Sequence, residues 1–256
     1  MVDYPLRPIE NQVGVDPRDQ KIPPIVYQTW EENAFGRRHL KSMKKFRSKN
    51  ANLDFVLMTR ADRDQFMKSE WDGTLAYEAY RRAAFGPLRV DIFRYCLLFR
   101  NGGYYFDISK GLDTSLSGLH GSESTELISF EGNMTIPAPM EVANRLLLPN
   151  HLNLQWGMGF TASHPILEIV IRMIGENFDS VKNLVFENPK AAILEISGPG
   201  VFTKAVREYL LMNVNSEVTQ IGVDFGGHGI YSLPGSGVRH HRFPSYANVK
   251  NKRLFD

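Results

Sequence analysis

The chain has 256 residues, 43% hydrophobic and 23% charged, which is enough to bury a sizeable core in one compact domain. A formal net charge of +2 gives no ground for a nucleic-acid partner, and the single cysteine, Cys96, excludes an internal disulfide and reads as a small buried hydrophobe. No apolar run reaches the roughly 18 to 20 residues of a membrane span, and the amino terminus lacks an apolar leader with a cleavage site, so a cytoplasmic protein, free or peripheral to a membrane, is expected.

Residues 1–20 are expected to form a loosely structured arm ahead of one α/β domain spanning 21–256. "PPIVYQTW", Pro23 to Trp30, is an apolar β-branched run after two prolines and predicts a first, central strand with Gln28, Thr29 and Trp30 at its carboxyl end. "RRHLKSMKKFRSKN", Arg37 to Asn50, carries seven Lys or Arg residues around Leu40, Met43 and Phe46, a spacing of three that predicts a helix with a buried stripe and a basic outer face. That face is either simply solvated or a candidate for peripheral membrane contact, through Arg37 to Lys49. "LDFVLMT" predicts a second strand, followed by a mixed helical region from Arg60 to Phe85.

In "FGPLRVDIFRYCLLFRNGG", Gly86 and Pro87 suit a helix start and Gly102 and Gly103 its stop. The helix puts Leu88, Ile92, Tyr95, Cys96 and Phe99 on one apolar stripe and Asp91 with Arg94 on another face. This pair is either a surface ion pair or the polar lining of a cleft. A short strand, Tyr104 to Ile108, carries Asp107 at its end, and another, "ELISFEG", follows from Glu126 to Gly132. "SHPILEIVIRMI" predicts a helix with Ser163 as N-cap and Pro165 in its first turn, and "GPGVFTKAVREYLLM" predicts a further one.

In open α/β sheets ligands bind at the carboxyl edge of the strands, where Asp107 falls. A carboxylate there can hold Mn²⁺ or Mg²⁺ against a diphosphate, since hard cations take oxygen ligands and share them with substrate phosphates; the same residue type at a strand end also serves as a plain turn former. Gly102 and Gly103 allow positive φ and close backbone approach to a ligand. Near the carboxyl terminus, "RHHRFPSYANV" offers His240 or His241 as metal or phosphate ligands and Ser245 as a phosphate donor; Asp224 in "GVDFGGHG" is a candidate acceptor-side acid or a turn aspartate. There is no phosphate-binding Walker loop, zinc-like cysteine spacing or serine-hydrolase elbow.

Five segments in order resemble glycosyltransferase family 32, the DxD sugar-binding-region family, and its Och1-like mannosyltransferases in particular. They are "IPPIVYQTW", "RVDIFRYCLLFRNGGYYFD", "LQWGMGFTASHPIL", "ISGPGVFTKAVREYL" and "HHRFPSY". The resemblance implies a GT-A-type, Rossmann-like nucleotide-sugar-binding domain with a mixed central sheet, acting as a retaining hexosyltransferase. The donor would be GDP-mannose or a UDP-sugar, with mannose favoured, and the acceptor a glycan or lipid-linked saccharide. By this likeness Gln28, Thr29 and Trp30 lie by the base, and Asp91 and Arg94 grip the donor's hydroxyls. Tyr95, Gly103, Ser109 and Ser245 complete the donor site, and Asp107 holds the metal with His241 or His240. Two positions depart from the pattern: the DxD is Asp107-Ile108-Ser109, which weakens the case for Mn²⁺ or Mg²⁺, and Tyr246 stands for a terminal tryptophan. The serine motivates an alternative, a non-catalytic nucleotide-sugar-binding protein of the same fold.

Overall fold

The computed structural model describes residues 5–6, 20–241, 243 and 246–256. Most of the expected amino-terminal arm, and Ser245, lie outside them. In chain order the elements are β1 (Ile25–Thr29), α1 (Arg37–Ser48), β2 (Asp54–Met58), α2 (Arg60–Trp71), α3 (Leu75–Arg82), α4 (Gly86–Asn101), β3 (Gly103–Phe106), β4 (Gly111–Leu112) and β5 (Glu126–Thr135). They continue with α5 (Met140–Ala143), β6 (His151–Asn153), β7 (Gly157–Phe160), α6 (Pro165–Val181), β8 (Val185–Phe186), α7 (Pro189–Ile196), α8 (Pro199–Met212), β9 (Gln220–Gly222), β10 (Gly229–Ile230) and β11 (Lys252–Arg253).

The main sheet runs β2-β1-β3-β7-β5-β6, with β9 alongside β5. β1 is parallel to β2 and β3, whereas β7 is antiparallel to both β3 and β5, and β9 is parallel to β5. The sheet is therefore mixed, as expected, and β1, β2, β3, β5 and β9 all point the same way. Their carboxyl ends share one edge, and β7 brings its amino-terminal side, beginning at Gln155 and Trp156, to that same edge.

Alternation along the strands sorts side chains onto two faces. Tyr27, Tyr105, Ile128 and Met158 join the core under α3, α4, α6 and α8, while Val26, Tyr104, Phe106 and Leu127 face a second cluster with Phe46 of α1, Phe55 and Trp156. Helices thus cover both faces, the layering of a doubly wound α/β domain. Helix α4 is enclosed on more than one side: Leu88, Asp91, Ile92, Phe93, Arg94, Tyr95, Cys96, Leu97 and Leu98 are all buried, so the single apolar stripe read from sequence underestimates its burial.

Other expectations are corrected in detail. The N-cap of α6 is His164, whose side chain accepts from the Ile166 N–H, and Ser163 is the preceding residue at φ 57°. The outer face of α1 is basic, with Arg37, Arg38, Lys41, Lys44, Lys45 and Lys49 exposed, but Arg47 turns inward. It lies 5.0 Å over the Phe55 ring, and burial lowers its guanidinium to about 10, still protonated at neutral pH.

The two glycines after α4 stop the helix and take positive φ, as expected. Gly102 (φ 64°) closes the helix by donating its N–H to the Leu98 carbonyl at 2.8 Å, and Gly103 (φ 95°) opens β3. A Cβ on Gly103 would sit 2.7 Å from Ile25 Cγ2 and 2.8 Å from the Ile25 carbonyl oxygen, so the close approach it permits is to β1 and not to a ligand. Gly103→Ala should cost on the order of 3–5 kcal/mol of stability. Gly73→Ala, also at positive φ but with nothing within 4 Å, should cost only about 1–2 kcal/mol. Equal shifts of the two urea midpoints would contradict this packing.

Candidate active site

Helix α4 delivers Asp91 and Arg94 to the carboxyl edge of the sheet, and β3 delivers Asp107. Asp91 and Arg94 are 5% and 4% exposed, which removes the surface ion-pair reading. Arg94 Nη2 lies 2.9 Å from Asp91 Oδ1 and 3.4 Å from Asp107 Oδ1, so one guanidinium bridges both carboxylates. Its Nη1 donates to the Gln155 carbonyl at 2.9 Å, and Arg94 Cζ lies 4.6 Å from the Tyr105 ring centroid.

The network extends to further side chains. Gln155 Nε2 donates to Asp91 Oδ1 at 3.1 Å, Ser197 Oγ donates to Asp91 Oδ2 at 3.0 Å, and the Tyr95 hydroxyl donates to Gln155 Oε1 at 2.9 Å. The Tyr105 hydroxyl donates to Asp107 Oδ1 at 2.9 Å. Burial holds the Tyr95 and Tyr105 phenols well above their ordinary range, so both remain neutral donors. Gln155 and Ser197 were not singled out from sequence; the signal was the "LQWG" and "ISGPG" segments, recognised as motifs but not assigned side-chain roles.

Asp107 differs from its partners in exposure, its side chain being 31% accessible. Its N–H donates to the Trp156 carbonyl at 2.8 Å, which extends the β3–β7 pairing by one residue and fixes the backbone. The next two residues are held from both sides: His39 Nε2 is 2.9 Å from the Ile108 carbonyl oxygen, and the Leu233 N–H donates to the Ser109 carbonyl at 2.7 Å. Ser109 is buried. The Asp-Ile-Ser turn is thus rigid, with one carboxylate partly open to solvent.

At the end of β1 the expected residues separate into two groups. Gln28 is wholly enclosed, its Oε1 accepting from Arg47 Nη2 at 3.0 Å, and Thr29 Oγ1 donates to the Met58 carbonyl at 2.7 Å while accepting from Arg63 Nη1 at 2.6 Å. Gln28 and Thr29, expected beside a base, thus lie buried behind α1 and α2 and are held by Arg47 and Arg63. Trp30 is the one of the three left half-buried, and its ring meets Phe243 edge-on at 5.6 Å, so Phe243 lies against this end of β1. Arg63 pins the turn through the Trp30 carbonyl and Glu31.

The histidines do not join Asp107 in a ligand cluster. His240 and His241 are exposed on a 3-10 turn, and among the described residues no three His, Cys, Asp or Glu side chains are grouped to hold a metal ion. Tyr246 packs on Phe85 at 5.9 Å, and burial, then Asp91, hold its hydroxyl up at about 12, so it offers a neutral donor near the network.

Burial pushes the Asp91 carboxyl up to about 7, opposed by the Arg94 guanidinium and the Ser197 hydroxyl. A carboxyl raised in the folded state stabilises the fold most below its unfolded value of 3.8, and that contribution is lost as pH rises towards about 7. Asp91→Asn should therefore lose part of the decline in unfolding free energy between about pH 4 and pH 7 that the native protein shows. Parallel pH profiles of urea unfolding for the two proteins would contradict the assignment.

Residues 36–126 match the family model described as the glycosyltransferase sugar-binding region containing the DXD motif. Over 210 residues the chain is 26% identical to an initiation-specific alpha-1,6-mannosyltransferase of Candida albicans, covering 74% of this chain and 53% of the relative. It is 24% identical to inositol phosphoceramide mannosyltransferase 3 of Schizosaccharomyces pombe, covering 59% and 36%. The chain thus spans about half or less of the length of these relatives. Among solved structures it is similar to the PaToxG glycosyltransferase, with a TM-score of 0.53 at 14% identity over 74% of this chain and 70% of that one, a likeness of fold.

Proposed function

From the match of residues 36–126 to the glycosyltransferase sugar-binding region containing the DXD motif we propose that the chain is one of these glycosyltransferases, a retaining hexosyltransferase using a nucleotide-sugar donor. Mannose is favoured, because two relatives are named as mannosyltransferases. GDP-mannose is the first donor to test and a UDP-hexose the second, with a glycan or a lipid-linked saccharide as acceptor. The observation that carries this reading is the bridged pair of Asp91 and Asp107 on Arg94, buried except where Asp107 meets the sheet edge.

In this reading Trp30 faces the base, whose flat ring suits an aromatic partner. Asp91 and Arg94 supply complementary acceptors and donors for the donor's hydroxyls, and the buried network fixes them before substrate arrives. Transfer breaks the bond between the sugar C1 and the phosphate oxygen, and the electron pair leaves with the diphosphate. The acceptor oxygen forms the new bond on the same face, and its proton passes to the departing phosphate oxygen. No protein nucleophile is required.

Asp107 offers one partly exposed carboxylate and Ser109 a neutral oxygen, a sparse set that fits Mn²⁺ or Mg²⁺ taking its other ligands from phosphates and water. When bound, such an ion would supply positive charge against the diphosphate. The contribution of His240 and His241 to metal binding stays part of the proposal only for the substrate-bound state, as does a phosphate contact from Ser245. The non-catalytic alternative rests on Ser109 alone, and the transferase names of the relatives weigh against it.

Asp107→Ala is expected to lower kcat by at least about 100-fold in a GDP-mannose transfer assay with Mn²⁺, with a melting temperature within a few degrees of native because the residue is half-exposed. Arg94→Lys should raise donor KM and lower kcat together, since an ammonium cannot bridge two carboxylates in the guanidinium's planar geometry. Full activity in Asp107→Ala would remove the site assignment.

The exposed cations of α1 support peripheral contact with an anionic membrane surface as part of the same proposal. Sedimentation with phosphatidylserine vesicles should fall several-fold in a Lys41→Glu, Lys44→Glu, Lys45→Glu variant and with added salt; unchanged sedimentation would return the face to simple solvation.

A further inference from the structure

Strand β5 passes the edge that carries Asp107 at about Glu131, and the turn after β9 brings Asp224 there. Asp224 (φ 45°, ψ 50°) and Phe225 (φ 56°, ψ 44°) are consecutive non-glycine residues in the left-handed region, a strained conformation for both. Phe225 shows what enforces it. Its buried ring stacks on Phe106 at 5.6 Å and packs on Trp156 at 5.4 Å, and its N–H donates to Ser129 Oγ at 2.7 Å. With Phe225 fixed in the core, the Asp224 side chain is set beside Gly132 and Trp156: a Cβ on Gly132 would lie 3.9 Å from Asp224 Oδ2, and one on Gly229 would lie 3.1 Å from both Asp224 Cβ and Trp156 Cη2.

The β4–β10 ribbon supplies the facing wall. Ile230 pairs with Gly111, which places Tyr231 across from Lys110, and Lys110 Nζ sits 3.1 Å from the Tyr231 ring centroid and 5.6 Å from that of Trp156. Tyr231 is held on one face and yet is 63% exposed. The Trp156 indole N–H is buried without a partner among the described residues. The Lys110 N–H donates to the Asp107 carbonyl at 2.8 Å, so this wall begins one turn from the proposed donor site.

We propose that Tyr231, Asp224 and Glu131 form the acceptor subsite, and that it takes a neutral, hydroxyl-rich six-membered ring, a hexose or a cyclitol. This assignment rests on the glycosyltransferase reading above and gives its acceptor a place and a chemical class. An exposed aromatic face stacks against ring C–H groups, whose partial positive charge suits the negative face of the π system. Carboxylates accept hydrogen bonds from ring hydroxyls and carry no donor of their own when ionised. The ring is neutral because two of the charged side chains at this place, Glu131 and Asp224, are acids, while the cation beside them, Lys110, is held over the Tyr231 ring. A phosphorylated ring would meet that field unfavourably. The strained turn holds the Asp224 carboxylate beside the reacting edge while Phe225 stays in the core.

Saturation-transfer NMR of methyl α-D-mannopyranoside and of myo-inositol, each with the native chain and GDP plus Mn²⁺, tests the subsite without requiring turnover. Saturation of at least one ring is expected with the native chain, with a loss of at least about fivefold in Tyr231→Ala and in Asp224→Asn; asparagine keeps the side-chain shape and tolerates left-handed φ. The ring that is saturated distinguishes hexose from cyclitol. No saturation with the native chain, or equal saturation in both variants, would overturn the proposal. Melting-temperature shifts with GDP and UDP, each with Mn²⁺, are read in parallel. If neither nucleotide shifts the native chain, the donor reading fails; if one does and the variants keep both shift and ring saturation, only the acceptor assignment fails.

Discussion

The arrangement of the sheet edge depends on one buried cation. Arg94 sits between Asp91 on its own helix and Asp107 on the next strand, under the face of Tyr105 and against the Gln155 carbonyl. Its guanidinium remains charged despite burial, since Tyr105, Asp107 and Asp91 favour the protonated form. Removing Arg94 would leave the enclosed Asp91 carboxylate without its cation, a loss on the order of 3–5 kcal/mol. The network therefore ties α4, β3, the start of β7 and the α7–α8 junction into one unit, and the carboxylate left partly in water, Asp107, is held from beneath.

Sheet topology explains why so much chemistry gathers there. With β1, β2, β3, β5 and β9 parallel in direction, Trp30, Asp107, Glu131 and Asp224 all lie at or just beyond one edge. The strand β7 runs the other way and contributes the residues that precede it, Gln155 and Trp156. Support comes from behind: Arg47 and Arg63, both buried, hold Gln28 and Thr29, so the end of β1 is fixed by the two helices that follow it.

Sequence pattern carried the fold because its signals are local. Alternation of apolar runs, the Gly-Pro start and Gly-Gly stop of α4, and the basic α1 each depend on residues close together in the chain, and the elements appear within a few residues of the expected bounds. Asp91, Arg94 and Asp107 were legible as candidates for the same reason. What the pattern could not show was burial and long-range pairing. Arg47 reads as one more surface cation until Gln28 and Phe55 are seen around it, Gln28 reads as a ligand contact until its enclosure is seen, and Gly103 reads as a ligand-facing glycine until Ile25 is found against it. Gln155 and Ser197 lie 64 and 106 residues from the Asp91 they bond, beyond any local periodicity.

The sparse acid set at Asp107-Ile108-Ser109 makes one claim central: a single carboxylate, held by the Arg94 network, suffices to recruit a divalent ion together with nucleotide. The most direct test is electron paramagnetic resonance of Mn²⁺ titrated onto the native chain and onto Asp107→Asn, with and without GDP or UDP. The account predicts weak binding of the ion alone, tightening at least about tenfold with one nucleotide and losing that gain in the variant, because the ion takes most of its ligands from phosphate and water. Nucleotide-enhanced Mn²⁺ binding that is unchanged in Asp107→Asn, or no enhancement in the native chain, would contradict it.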